Sequence, residues 1–132
     1  MIKIQDHEYS YDESQVIDFA EGLIGLPEMK RAVLLPMNEF APFCWLASVE
    51  NEKPCFVVVN PHEIFAEYVP LKASDSGTAN LRTLAIVKIS SDWQKTTINL
   101  RAPIFINAET NRGTQLVLTD SKYQFAESLP QD

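Results

Sequence analysis

Two neighbouring stretches decide the fold: Asn99-Leu-Arg-Ala-Pro-Ile-Phe-Ile-Asn107, and then Arg112-Gly-Thr-Gln-Leu-Val-Leu118. Apolar side chains fall at every second position, at Ile98, Leu100, Ala102, Ile104 and Ile106 and again at Leu116 and Leu118. That period of two is the mark of half-buried strands, and the polar residues Glu109 to Gly113 between them read as a turn. Arg112 with Gly113 is the expected hairpin turn, Gly113 supplying a backbone with φ above zero. Pro103 should cap an edge or interrupt pairing. The side-chain amides of Asn99 and Asn107 are expected to hold neighbouring loops through backbone hydrogen bonds.

The same alternation recurs along the chain. It is found at Ile2 and Ile4, at Val16 with a break before Phe19, from Ala32 to Leu35, Phe43 to Val49, Phe56 to Val59 and Leu84 to Ile89. At least eight short strands result, separated by Pro, Gly, Asn and Asp clusters at sandwich or barrel spacing, with eight prolines and no long helical period. The fold class is therefore all-β, a small single domain of short, mostly antiparallel strands in a sandwich or barrel. Only Ser76 to Arg82 suggests a helical turn. Gly22 and Gly25 read as backbone turns at positive φ, since they lack the lysine of a P-loop and the third glycine of a dinucleotide fingerprint. The domain is expected over residues 1–123, with 124–132 a loose polar tail in which Tyr123 and Phe125 are candidate anchors.

At 132 residues the chain has room for one core. No apolar run approaches the ~20 residues of a membrane helix and the start lacks a signal-peptide core, so a cytoplasmic location without membrane contact is expected. The net charge of −7 is uneven: residues 1–70 carry twelve acidic and four basic side chains, residues 71–132 six and seven. Such a surface repels phosphates, argues against direct nucleic-acid binding, and favours basic partners.

Chemistry is not in evidence. Cys44 and Cys55 are the two cysteines. A hairpin turning at Glu50 to Lys53 would set Cys44 opposite Val59 and Cys55 opposite Ser48, leaving the sulfurs on the order of 13 Å apart, beyond the ~7 Å limit for a disulfide. No Cys-x-x-Cys and no histidine at ligand spacing suggests a metal site. His7 and His62 read as surface residues, Ser48 sits on a strand and not at a nucleophile elbow, and Asp12 and Glu13, as strand neighbours, would point to opposite faces. No catalytic residue, cofactor or metal is expected.

Taken in order, three stretches resemble the FliW flagellar assembly factors: Phe19-Ala-Glu-Gly-Leu-Ile-Gly-Leu-Pro27, then Pro42-Phe-Cys-Trp-Leu-Ala-Ser48 with Phe56-Val-Val-Val-Asn-Pro61, then the C-terminal pair of strands. The resemblance covers roughly residues 1–123. It departs at Leu26, where the family carries an aromatic, and across Lys72 to Leu81, which is plainer than the family's acidic, leucine-bearing stretch. The resemblance implies a barrel-like β-domain that is not an enzyme, has a chaperone-like role in flagellum biogenesis, and binds flagellin in the cytoplasm. It also implies that the protein binds the RNA-binding repressor CsrA when flagellin is scarce, relieving repression of flagellin translation. The acidic half suits CsrA's basic surface, with Glu8, Asp12 and Glu13 as candidate contacts. Flagellin, as an amphipathic helix, would need an apolar groove. The candidates are the loop Gly22 to Met29, with Leu23, Ile24, Leu26 and Met29, which could equally be a lid on the core, and the motif bearing Asn99, Asn107 and Arg112. Phe43 and Tyr68 are candidate interface aromatics, and Trp45, on the face of Phe43, is assigned to the core. A small-ligand barrel, with a cofactor inside, is the alternative; it is weakened by the few polar residues at inward positions.

Overall fold

Strand pairing follows the alternation into a closed ring. The computed structural model describes residues 2–4, 7–37, 39–50, 55–70, 81–119 and 122–130, and the following statements concern these. Eleven strands occur among them: β1 (Ile2–Ile4), β2 (His7–Tyr9), β3 (Ile17–Phe19), β4 (Arg31–Pro36), β5 (Cys44–Ser48), β6 (Cys55–Val59), β7 (Leu81–Lys88), β8 (Thr97–Ile98), β9 (Ile104–Asn107), β10 (Arg112–Gln115) and β11 (Glu127–Ser128). Strands β3 to β7 pair antiparallel in sequence order. The long strand β7 then forks: Leu81 to Leu84 pair with β9, while Val87 and Lys88 pair with β8. β10 is antiparallel to β9 and parallel to β3, with Gly113 beside Phe19, and this contact closes a seven-stranded barrel.

Both faces of the ring are covered, which is why β6 is apolar without alternation. Inside lie Ile17, Phe19, Leu46, Val58, Leu84, Ile104 and Ile106, joined by Leu23 and Met29 from the loop after β3. Outside β4 and β5, the hairpin of β1 and β2 lays Ile2 and Ile4 on Val33, Leu35 and Ala47, with Trp45 half-buried beside them. Outside β6 to β8, Tyr68, Ile98 and Leu100 pack with Val59, Ala85 and Val87. Burial of this kind contributes on the order of 1.5–3 kcal/mol per large apolar side chain.

Several expectations are corrected. The β5–β6 register is one residue from that expected: Cys44 faces Val58 and Cys55 faces Ala47. A shift of one residue exchanges faces, so Cys44 packs toward the barrel interior and Cys55 toward the outer cluster with Ile2 and Ile4. Both thiols are free. Residues 98–106 are not one strand, because pairing stops at a bend over 99–103 in which the Asn99 side chain accepts the Ala102 N–H at 3.0 Å. The next strand ends at Gln115, before Leu116 and Leu118. The turn between them spans 108–111, and its left-handed residue is Asn111 at φ 56°, not Gly113. Gly113 lies within β10, where a Cβ would strike the Phe19 ring. Asp12 and Glu13 are not strand neighbours: Glu13–Gln15 is a single 3-10 turn whose entry is tied by the Asp12 N–H to the Gln15 side chain at 2.7 Å.

The tail is held where it is described. β11 pairs with β8, Leu129 packs on the outer cluster, and the Tyr123 ring stands edge-on to Tyr68 at 4.6 Å. Of the helical turn expected over 76–82, residues 76–80 lie outside the described residues and Leu81 and Arg82 open β7. The divergent stretch 72–80 and turn residues 51–53 also lie outside them.

Candidate functional site

The loop after β3 is a plug with one large aliphatic side chain left outside. Gly22 and Gly25 have φ of 70° and 81°, as expected, which folds the chain back so that Leu23 and Leu26 exchange backbone hydrogen bonds at 3.0 and 2.8 Å. Leu23 and Met29 are buried and Leu26 packs half-buried on the same core, so these three close one end of the barrel. Ile24, between the two glycines, is 56% exposed. The lid reading and the contact reading thus divide within one loop.

Gln115 joins this loop to the bend at 99–103. Its side-chain oxygen accepts the Ile24 N–H at 2.9 Å, and its side-chain nitrogen donates to the Ala102 carbonyl at 2.9 Å. Immediately beyond, the Leu116 N–H donates to the Pro103 carbonyl and the Leu118 N–H to the Arg101 carbonyl. On the other side of the bend, the Leu100 and Arg101 N–H groups donate to the Gln124 carbonyl, and the Arg101 guanidinium lies 5.6 Å from the Phe125 ring centre. One bend therefore anchors exposed apolar side chains from three segments: Ile24 at 56%, Leu116 and Val117 at 44% each, and Phe125 at 55%. Arg101 brings positive charge to this face, and its buried Nε has no hydrogen-bond partner. Exposed apolar side chains gathered on segments tied to one bend are candidates for protein contact.

The remaining sequence candidates are scattered. Tyr68 is buried and its hydroxyl donates to the Leu100 carbonyl at 2.5 Å, so it is a core residue and not a surface contact; burial pushes its phenol well above the usual range. Phe43 is half-buried, edge-on to Trp93 at 6.0 Å. Asn107 accepts the Glu109 and Thr110 N–H groups at 2.9 and 3.3 Å, holding the turn into β10 as Asn99 holds the bend. Arg112 is exposed in β10. Glu8 and Asp12 are exposed, whereas Glu13 is committed to Arg31, which also lies 3.6 Å from Asp18. His62, though exposed, places its ring nitrogens against Asn60 and the Tyr68 carbonyl. Among the described residues no group of three His, Cys, Asp or Glu could hold a metal ion, and no helix is long and apolar enough to cross a membrane.

Leu116, Val117, Phe125 and the bridging role of Gln115 were not foreseen. One signal was present: Leu116-Val117-Leu118 is an unbroken apolar triplet, and consecutive residues of a strand cannot all face one core.

The architecture defines a class, that of a closed all-β barrel with exposed apolar side chains on segments tied to one bend. The chain belongs to the FliW family: residues 3–129 match the family described as FliW protein. It is 34% identical over 130 residues to the flagellar assembly factor FliW of Clostridium beijerinckii, covering 92% of each chain, and 37% identical over 123 residues to that of Geobacter sulfurreducens, covering 88% of this chain and 77% of the other. A crystal structure of the flagellar assembly factor FliW superposes on it with a TM-score of 0.86 at 26% identity, covering 100% of this chain and 98% of that one. The alternation and the motif order thus led to the right family and the right fold.

Proposed function

We propose that the protein binds flagellin in the cytoplasm through the face built on the 99–103 bend, and that it antagonises the RNA-binding translational repressor CsrA, coupling flagellin level to flagellin translation. Membership of a family of flagellar assembly factors supports a protein partner of the flagellum. The observation that carries the reading is the juxtaposition of Ile24, Leu116, Val117 and Phe125 around one bend, an apolar surface with a polar rim suited to an amphipathic helix. The acidic N-terminal half, with Glu8 and Asp12 exposed, suits a basic partner such as CsrA.

The test is retention from a cell lysate followed by competition. The purified protein should retain flagellin or CsrA, and saturating flagellin should displace CsrA by the same factor as CsrA displaces flagellin. Leu116→Asp should remove flagellin retention from a protein that remains folded. Undiminished retention by Leu116→Asp and Ile24→Asp would move the contact elsewhere, and a stable ternary complex in size-exclusion chromatography would end the mutual-exclusion scheme.

A further inference from the structure

The two ends of the barrel are unlike. Leu23 and Met29 fill one. At the other, a cavity of about 380 Å³ opens among Ile17, Leu34, Ile106, Cys44, Ser14 and Arg82. Register places Arg82 there: it stands opposite Ile106, an interior residue, so its side chain lies on the inward face of β7 at the strand's first turn toward solvent. Cross-strand partners share a face, and the next inward residue on β7, Leu84, belongs to the core.

Arg82 makes no hydrogen bond or ion pair among the described residues, and no carboxylate lines the cavity with it. Its charge is felt at Cys44, whose thiol is pushed up by burial and drawn partly back by the guanidinium. A planar guanidinium offers paired N–H donors that match a carboxylate, and a single cation balances one negative charge and not two. Over the buried Ile17 and Ile106, the apolar wall that is open to the cavity is made by Leu34, Pro36 and Ala108, and the rest of the rim is polar, from Ser14, Gln15 and Asn111. The volume is at the small end for a ligand site, enough for a short chain and too little for a large cofactor.

We propose that this open end of the barrel binds a carboxylate carried on an apolar chain, the acid group on Arg82 and the hydrocarbon against Leu34, Pro36 and Ala108. Such an acid group is offered by a free short-chain acid or by the apolar C-terminal residue of a polypeptide. The site is separate from the docking face at Ile24 and Leu116, and stands independently of flagellin or CsrA binding.

Amide NMR titration of the whole protein tests this with four probes: hexanoate, hexanamide, and a short peptide ending in leucine as its free acid and as its C-terminal amide. Saturable shifts are expected at Arg82, Ile106 and Ala108, and not at Ile24 or Leu116. Each acid should bind at least tenfold more tightly than its amide. Arg82→Gln should erase that difference while its spectrum otherwise shows the folded barrel, and Arg82→Lys should restore part of it. A tighter peptide acid than hexanoate assigns the site to a polypeptide terminus; the reverse order assigns it to a free acid. Alkylation supplies a second readout. The acid should slow labelling of Cys44 and leave Cys55, on the opposite face of the sheet, unchanged. Absence of saturable shifts at this end for both acids, or equal binding of acid and amide, overturns the proposal.

Discussion

Ile24 and Gln115 stand 91 residues apart in sequence, yet the Gln115 side chain accepts the Ile24 backbone N–H at 2.9 Å. The same amide donates to the Ala102 carbonyl, so one side chain fixes the large exposed aliphatic residue of the plug loop relative to the bend to which Leu116 is hydrogen-bonded. Replacing Gln115 by Ala should cost about 1–3 kcal/mol, because the half-buried bond to Ala102 is left unmade. It should also speed hydrogen exchange at the Ile24 amide. Gln115→Glu keeps the acceptor for Ile24 and loses the donor for Ala102; retained protection at Ile24 with lowered stability is the expected pattern, read by urea denaturation and exchange NMR.

Gly113 and Gly25 answer different demands. A methyl group at Gly113 would meet the Phe19 ring, whereas at Gly25 it meets nothing but is attached to a backbone at φ 81°. Gly113→Ala should cost about 1–3 kcal/mol through overpacking, and Gly25→Ala about 1–2 kcal/mol through the left-handed backbone. Shrinking Phe19 to Leu should relieve part of the first penalty and none of the second. Additive losses in the Gly113 and Phe19 pair, measured by thermal unfolding, would show that the ring is not the obstacle.

Burial pushes the Cys55 thiol from 9.0 up to about 11. The folded state therefore holds the proton that the unfolded chain releases first. Stability from this group is fully present below pH 9 and declines as pH rises through 9 toward 11. Wild type should lose stability relative to Cys55→Ala across that window, while the difference between them stays constant from pH 6 to 8. A difference that is flat to pH 11 in denaturation midpoints would contradict the assignment.

If CsrA approaches the acidic half, its association should be steered by charge and screened over about 8 Å at physiological salt. Glu8→Lys with Asp12→Lys should slow association more than it speeds dissociation, and flatten the salt dependence. Glu13 is left out of this test because it holds Arg31. Stopped-flow rates unchanged by the pair of substitutions would place the contact elsewhere.

How far the sequence carried these features depends on the range of the interactions that set them. Period-two alternation is local, so β1, β4, β5 and the motif order were legible, as were β6 as a short apolar run and the positive-φ glycines. Register was not: β6 is apolar on both faces, so alternation could not distinguish Cys44 opposite Val58 from Cys44 opposite Val59. The left-handed turn residue was misplaced because Asn111 tolerates that conformation, and Gly113 is demanded by Phe19, a residue remote in sequence. The role of Gln115 is wholly tertiary. Its two partners lie in segments that only the closed ring brings together.

The parallel contact between Phe19 and Gly113 also sets an order of events during synthesis. β3 is made well before β10, and its open edge waits for that later strand. The exposed apolar residues Leu116 and Val117 wait for the same strand, since Gln115, Leu116 and Val117 follow at once. A chain in which β10 has not yet been made therefore has neither a sealed barrel nor the tether that Gln115 makes between the plug loop and the bend, so closure of the ring and assembly of that exposed apolar region are one event.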